Sequence, residues 1–371
     1  MAQGQQLQNG GTLLANLGSS LGMRNRIVNG DMRIDQANAG AAVVVNAASV
    51  FRSVDKYRGF GVGAAGVFSL QQLSATPPAG FTNYLRATVT TADAAPAAGS
   101  EYSIVQPIEG TYCQDLQFGI AANTQSVTRS IWVRSSLTGN FSGSLRNSAT
   151  NRAYPFTFTI AAANTWQLVT VTIPADTTGT WLTTTGVGIY VSIDLGSGAN
   201  LRGTAGAWAA ANNTGATGAV SLLATNGATF DFTGDQLEPG TIATTFEQSP
   251  FGDMLRLCQR EFSKSFALGT APVQSLGTTT GEYTFPATQA GATTNRMGTI
   301  YLPVTMRATP TVTTFNPAAA NAFVRDEDGA VDCTATSTSA SDSSIQMGCT
   351  GHAAVTVGRK LGVHWTADAR L

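Results

Sequence analysis

The 371-residue chain is 43% hydrophobic but only 12% charged, and 40 glycines take up much of the difference; soluble domains average about 25% charged residues. A net charge of −1, with Arg and Lys scattered singly, excludes a general nucleic-acid binder, because phosphate contacts need clustered basic side chains. No run of about 18 apolar residues is present, which excludes membrane insertion by a helix.

Residues 1–24 read as a separate leader. MAQGQQLQNGG is polar, and Leu14, Leu17 and Leu21 follow at helix-like spacing. Two turns of helix do not stand alone in water, so the leader is either a disordered terminus or a short anchor that orders on a partner surface. It lacks the basic segment of a secretory signal, so the chain is expected to be made and kept in the cytoplasm.

Residues 25–248 read as β. Ser126–Arg134 alternates, with Val127, Arg129, Ile131 and Val133 on one side and Trp132 on the other. Trp166–Ile173 and Val187–Leu195 alternate in the same way, and turn residues bound all three segments. Period-two alternation predicts half-buried strands, and many short strands predict an antiparallel sandwich. Gly61, Gly63 and Gly66 match a dinucleotide fingerprint, but no helix is predicted after them, so that reading is set aside.

Residues 249–266 read as a connecting helix. Ser249 caps it, Pro250 suits its first turn and Asp253 favours its N-terminal end. Phe251, Leu255, Cys258 and Phe262 recur at four, three and four residues, either as an ordinary amphipathic face or as a seam at a homo-oligomer axis. Taken as a seam, they predict a trimer. Residues 267–371 read as a second, smaller β domain, with strands expected at 281–285, 298–304, 311–315, 353–357 and 361–365.

Chemistry-bearing groups are sparse. The two histidines, His352 and His364, lie near the C-terminus without a nucleophile motif, so no catalytic residue is assigned. The acids Glu101, Glu109, Asp115, Asp194, Asp231, Asp235 and Glu238 are the material for a glycosidase pair. Asp326-Glu327-Asp328-Gly329 reads first as a solvated turn. A structural calcium is the second reading for that turn, and for Asn29-Gly30-Asp31 with Asp231; no transition-metal site is expected. Cys333 and Cys349 sit symmetrically about Ser341, facing each other as a disulfide or as two buried thiols. Trp132 and Trp166, inside alternating strands, are expected in the core. Trp181 and Trp208, beside Gly- and Ala-rich turns, are the candidates for stacking on a sugar ring.

Several motifs occur in order. Arg26-Ile-Val-Asn-Gly-Asp-Met-Arg-Ile-Asp-Gln36 opens the series, followed by Ser53-Val-Asp55-Lys56-Tyr57, Gln106-Pro-Ile-Glu109-Gly110, Ser130-Ile-Trp132-Val-Arg134-Ser135 and Asn164-Thr-Trp166. Thr233-Gly-Asp235-Gln-Leu-Glu238-Pro-Gly240, Ala243-Thr-Thr-Phe246-Glu247 and Leu257-Cys258-Gln259-Arg260 close it. Over residues 26–265 the chain resembles a group of phage and prophage tail-fibre-like proteins. It departs from their pattern in Ser53-Val-Asp55-Lys56-Tyr57, where that pattern reads Y-x-x-D-R-W and both the aromatic and the basic identities differ, and at Glu261-Phe262, where it has a tyrosine-rich pair.

The resemblance implies a carbohydrate-binding-module-like jelly roll, a short helix and a variable C-terminal domain. It implies virion attachment and host-surface recognition without defined catalytic residues. The expectation is a non-enzymatic tail-fibre or spike subunit, assembled in the host cytoplasm and resident in the virion. Its partners would be copies of itself, other tail or capsid proteins, and a host surface glycan. A head fibre or capsid decoration protein is the alternative within that class. A surface-polysaccharide depolymerase with a carboxylate pair in 100–248, and a cellular sugar-binding module, are the alternatives outside it.

Overall fold

The structure is a computed structural model, and it describes residues 23–47, 50–62, 65–277 and 281–371. Leu14, Leu17 and Leu21 of the expected anchor lie outside the described residues.

Two six-stranded antiparallel sheets form a sandwich. In spatial order one holds Val43–Val45 (β1), Val67–Leu73 (β4), Tyr84–Thr91 (β5), Thr229–Pro239 (β14), Val127–Ser135 (β7) and Gln167–Ile173 (β10). The other holds Val50–Arg52 (β2), Arg58–Val62 (β3), Glu101–Glu109 (β6), Val187–Asp194 (β11), Gly139–Asn147 (β8) and Ala153–Ile160 (β9). Arg202–Gly203 (β12) and Gly215–Ala216 (β13) make a small parallel pair. The chain changes sheet between β5 and β6, β6 and β7, β7 and β8, and again on either side of β10, which is the jelly-roll way of closing a sandwich. Alternate residues of each strand meet in one core. Phe68, Leu85, Val133 and Phe232 come from one sheet, and Tyr102, Phe141, Leu145 and Ile193 from the other. Burial of each such side chain stabilises the fold by about 1.5–3 kcal/mol.

One inward position breaks the apolar pattern. Arg129 of β7 grips Asp235 with two hydrogen bonds of 2.9 and 2.8 Å, and Tyr57 donates to the same carboxylate. β14 bulges between Thr233 and Gln236 to place Asp235 there. The bulge meets the opening motif, because Asp235 N donates to Gly30 O at 3.0 Å. A Cβ on Gly30 would stand 2.1 Å from Asp235 O, so only glycine permits the contact.

Several of the separated motifs thus converge on one buried joint. Asn29 bonds to Ile34 and to the carbonyl of Asp55, Gln36 to Asp55 and to Phe262 O, Gln106 to the backbone of Val28, and Arg260 to Glu109.

The helix, Phe251–Gln259 (α1), is shorter than expected. It buries Met254 and Cys258 against Val28 and Ile34 of its own sandwich, and Phe251 stays 41% exposed. Phe262 is no longer helical; it pairs with Asp368 in Phe262–Lys264 (β15). The seam is therefore divided: Cys258 and Phe262 are used in packing within the chain, so the four residues do not share one free face. The pull of the C-terminal sheet on Phe262, a pairing across a hundred residues, ends the helix.

The C-terminal unit has its own core around Phe285, Ile345, Leu361 and Trp365. It contains Tyr283–Pro286 (β16), Thr294–Tyr301 (β17), Thr311–Phe315 (β18), Arg325–Asp326 (β19), Val331–Asp332 (β20), Ala335–Ala340 (β21), Ser344–Thr350 (β22) and Lys360–Asp368 (β23). β23 is the organiser, pairing with β15, β16, β18 and β19, while β17, β22 and β21 make a separate sheet. The expected strand at 353–357 is a pair of turns instead. β21 and β22 form the hairpin turning at Ser341, and Cys333 lies just before it. Cys333 and Cys349 are buried free thiols joined by a hydrogen bond, not a disulfide.

Candidate functional site

The tryptophans of the sandwich fall into the two pairs expected, but the first pair is not placed as expected. Trp132 and Trp166 lie on the outer face of their sheet, half-buried rather than in the core. Their strands turn Ile131, Val133 and Val169 inward instead. Trp166 packs edge-on against Tyr84 at 5.5 Å, beneath the guanidinium of Arg134 at 4.6 Å, and its indole N–H donates to Thr76 O. This layer seals the outside of the sheet.

Trp181 and Trp208 lie together at the end of the sandwich where β6 leads into β7 and β10 into β11. Both are half-buried. Phe118 is edge-on to each, at 5.0 Å to Trp181 and 5.9 Å to Trp208, and the two indoles are 5.5 Å apart. Trp208 donates to Pro174 O and packs on Tyr154, so it backs the cluster. Trp181 faces outward and lines a cleft of about 340 Å³ with Gln114, Gln117, Phe118, Ile120 and Leu182.

Asp176 holds this cleft in shape. Its carboxylate is fully buried, accepts two hydrogen bonds from Arg152 at 2.6 and 2.9 Å, and takes the Trp181 indole N–H at 3.2 Å. Its carbonyl accepts Gly119 N at 2.8 Å and so ties the two loops together. Gly119 has φ +86°, and a Cβ there would stand 2.5 Å from Gly179 O. Both facts demand glycine.

The cleft combines an indole ring with apolar edges at Ile120 and Leu182, exposed by 53% and 40%. Gln117 sits in left-handed backbone geometry, φ 49°, and its Oε1 is buried without a partner. A buried acceptor without a partner marks a place where a bound hydroxyl or water completes the hydrogen bonding. Sequence reading found Trp181 and Trp208; it missed Phe118, Ile120, Leu182 and the glutamines, which reach the cleft only because two distant loops meet.

The acids of the sandwich are committed elsewhere. Glu101 pairs with Arg146, Glu109 with Arg260, Asp115 with Arg26, Asp194 with Arg202, Asp231 with Arg86 and Arg134, Asp235 with Arg129, and Glu238 with Arg24. A guanidinium beside a carboxylate favours its charged form; for Glu109 the hydrogen bonds from Arg260 outweigh burial and hold the carboxyl below its usual range. A general acid needs the reverse.

Acids named in the calcium reading are paired as well. Asp31 is bound by Arg33, Asp231 by two arginines, and Asp326 by Arg359 and His352. Asp326 is buried in its turn, not solvated. Among the described residues no group of three or more His, Cys, Asp or Glu is placed to hold a metal ion. His352 accepts Ala354 N on Nδ1 and so donates from Nε2 to Asp326; His364 stacks on Phe266 and bonds Ser265.

Among the described residues no helix is long and apolar enough to cross a membrane. No protein-family description matches the chain, and no curated protein does. Among solved structures it is similar to the enzymatically active domain of tailspike protein 4 of bacteriophage CBA120, with 10% identity and a TM-score of 0.30, covering 58% of this chain and 22% of that one. The chain therefore spans about a fifth of that domain. It is similar to a family 11 carbohydrate-binding module from Clostridium thermocellum solved with a mixed-linked tetrasaccharide, with 12% identity and a TM-score of 0.26, covering 55% and 98% of the two chains. It is also similar to the N-terminal cellulose-binding domain of a Cellulomonas fimi β-1,4-glucanase, with 12% identity and a TM-score of 0.25, covering 47% and 84%.

Proposed function

We propose that this chain is a non-enzymatic structural subunit of a bacteriophage virion, a tail fibre or spike that binds host surface glycans in the Trp181 cleft. The observation that carries the glycan reading is the cleft itself: a fixed indole in a cleft also lined by the amides of Gln114 and Gln117 and the apolar edges of Ile120 and Leu182. Pyranose rings present apolar C–H faces to an aromatic ring and hydroxyls to amides. The arginine clamps on Glu101, Glu109, Asp115, Asp194, Asp231, Asp235 and Glu238 favour binding over hydrolysis.

The virion role rests on the tail-fibre-like motifs. The convergence of several of them on one joint supports reading them as a single structural unit. In this reading residues 1–24 attach the subunit to the particle and the C-terminal unit faces outward. Copies of the chain assemble as a trimer, whose multivalency raises weak single-site binding by a hundredfold or more. With Cys258 and Phe262 used internally, Phe251 and Leu255 are the seam residues left to meet another copy.

A glycan array probed with the full chain and with Leu182→Asp tests the binding reading. Leu182 is on the exposed rim, so the variant should fold. Retained glycan signals in the wild type that are lost in Leu182→Asp support the cleft. Equal signals from both place the site elsewhere, and no signal from either removes the glycan role.

A further inference from the structure

A second cleft, of about 530 Å³, lies where the sandwich meets the C-terminal sheet. Strand register builds its floor. Asp368 of β23 lies between Thr311 of β18 and Phe262 of β15, and Thr366 lies beside Thr313 in the next row. Thr311 and Thr313 are exposed and line the opening. Phe315 and Pro272 add apolar edges, and Arg52 and Arg370 stand at the wall.

The two arginines differ. Arg370 is spent: it holds Asp368 through both carboxylate oxygens, 2.5 Å at the shortest, and lies over the Phe262 ring at 4.4 Å. The guanidinium of Arg52 makes no ion pair and no hydrogen bond among the described residues, and its Nε is buried without a partner. The nearby acids are already matched, Asp368 by Arg370 and Glu261 by Lys56 at 2.7 Å. The β2–β3 register sets Arg58 directly opposite Arg52, adding a like charge. Arg58 is itself occupied by the Leu371 oxygen at 2.7 Å. Burial, and then the charge of Arg370, make Arg52 hold its proton less firmly than usual.

We infer that this interdomain cleft is a binding site for a carboxylate-bearing sugar residue, with Arg52 taking the carboxylate and Thr311 and Thr313 the hydroxyls. A planar guanidinium matches a carboxylate through paired hydrogen bonds. The threonine row and the Phe315 and Pro272 edges suit a ring with both polar and apolar faces. A half-buried guanidinium without a hydrogen-bond partner, whose neighbouring acids are already paired, is costly, and a bound carboxylate relieves that cost. The site is independent of the Trp181 cleft.

The test is a calorimetric titration of the full chain at low salt with oligogalacturonate, with a neutral galactose oligomer and with inorganic phosphate. Oligogalacturonate should bind, and the neutral oligomer should not compete for the same site. Arg52→Gln should weaken the acidic ligand at least about tenfold, the loss expected for a hydrogen bond to a charged group. Thr313→Glu, a change at an exposed floor position, should weaken it similarly by repulsion if Arg52→Gln folds poorly. Leu182→Asp should leave it unchanged, which separates this site from the first cleft. Undiminished oligogalacturonate binding in both Arg52→Gln and Thr313→Glu overturns the proposal. Equally tight phosphate binding at the same site also overturns it, leaving an anion site without sugar selectivity.

Discussion

Lys56 and Glu261 are joined by a buried ion pair at 2.7 Å. Their side chains are 3% and 4% exposed. The pair bridges the sandwich and the segment that leads from α1 into β15. Removing one partner leaves a buried charge alone, which costs about 3–5 kcal/mol. Lys56→Met and Glu261→Leu should each lose about that much in urea denaturation. The double variant should recover most of it, because a well-packed apolar pair often replaces a buried ion pair at little cost.

Two glycines should respond with opposite signs. Gly30→Ala drives a Cβ to 2.1 Å from Asp235 O and should unfold the joint or cost several kcal/mol. Gly252 lies in α1, where an added methyl group would meet nothing within 4 Å. Gly252→Ala should therefore raise stability by up to about 1 kcal/mol. Thermal melts of the two variants read both effects.

The largest contributions to the pH dependence come from two acids, the buried Asp55 and the half-buried Glu282. Burial raises Asp55 from 3.8 to about 6, and burial together with Glu327 raises Glu282 from 4.5 to about 7. Each of these two groups holds its proton more firmly in the folded state than in the unfolded chain between about pH 4 and pH 7, so each lowers stability as pH rises through that window. Asp31 and Asp35, also raised by burial, act in the same sense, whereas His364, lowered by burial, acts in the opposite sense below its ordinary value. The depressed carboxyls, Glu109, Asp326, Asp332 and Asp368, act in the opposite sense but below their ordinary range. Asp55 contributes on the order of 3 kcal/mol across its part of the window. Denaturation midpoints at pH 4, 5, 6 and 7 should show a decline that Asp55→Asn makes shallower.

Much of the sandwich was legible because alternation is local. Ser126–Arg134 and Trp166–Ile173 became β7 and β10 with boundaries off by a residue, and their inward faces carry Val127, Ile131, Val169 and Ile173. What the pattern did not reveal depends on distant partners. Trp132 and Trp166 belong to an outer layer whose other members, Tyr84 and Arg134, come partly from another strand. The helix ended at Gln259 because Phe262 is held by a strand near the end of the chain. Arg129, visible on the apolar side of its strand, needed Asp235 and its bulge before its burial made sense. Trp181 was legible as a tryptophan beside turns, whereas the cleft around it needed Asp176 to draw two loops together.

The most direct test is an NMR titration that follows the five tryptophan indole N–H signals while a glycan retained on the array is added. The signal of Trp181 should move, with a smaller response from Trp208 behind it, while Trp132, Trp166 and Trp365 stay in place. Movement of the Trp132 or Trp166 signals with Trp181 unchanged would contradict the account and put the glycan on the outer sheet face.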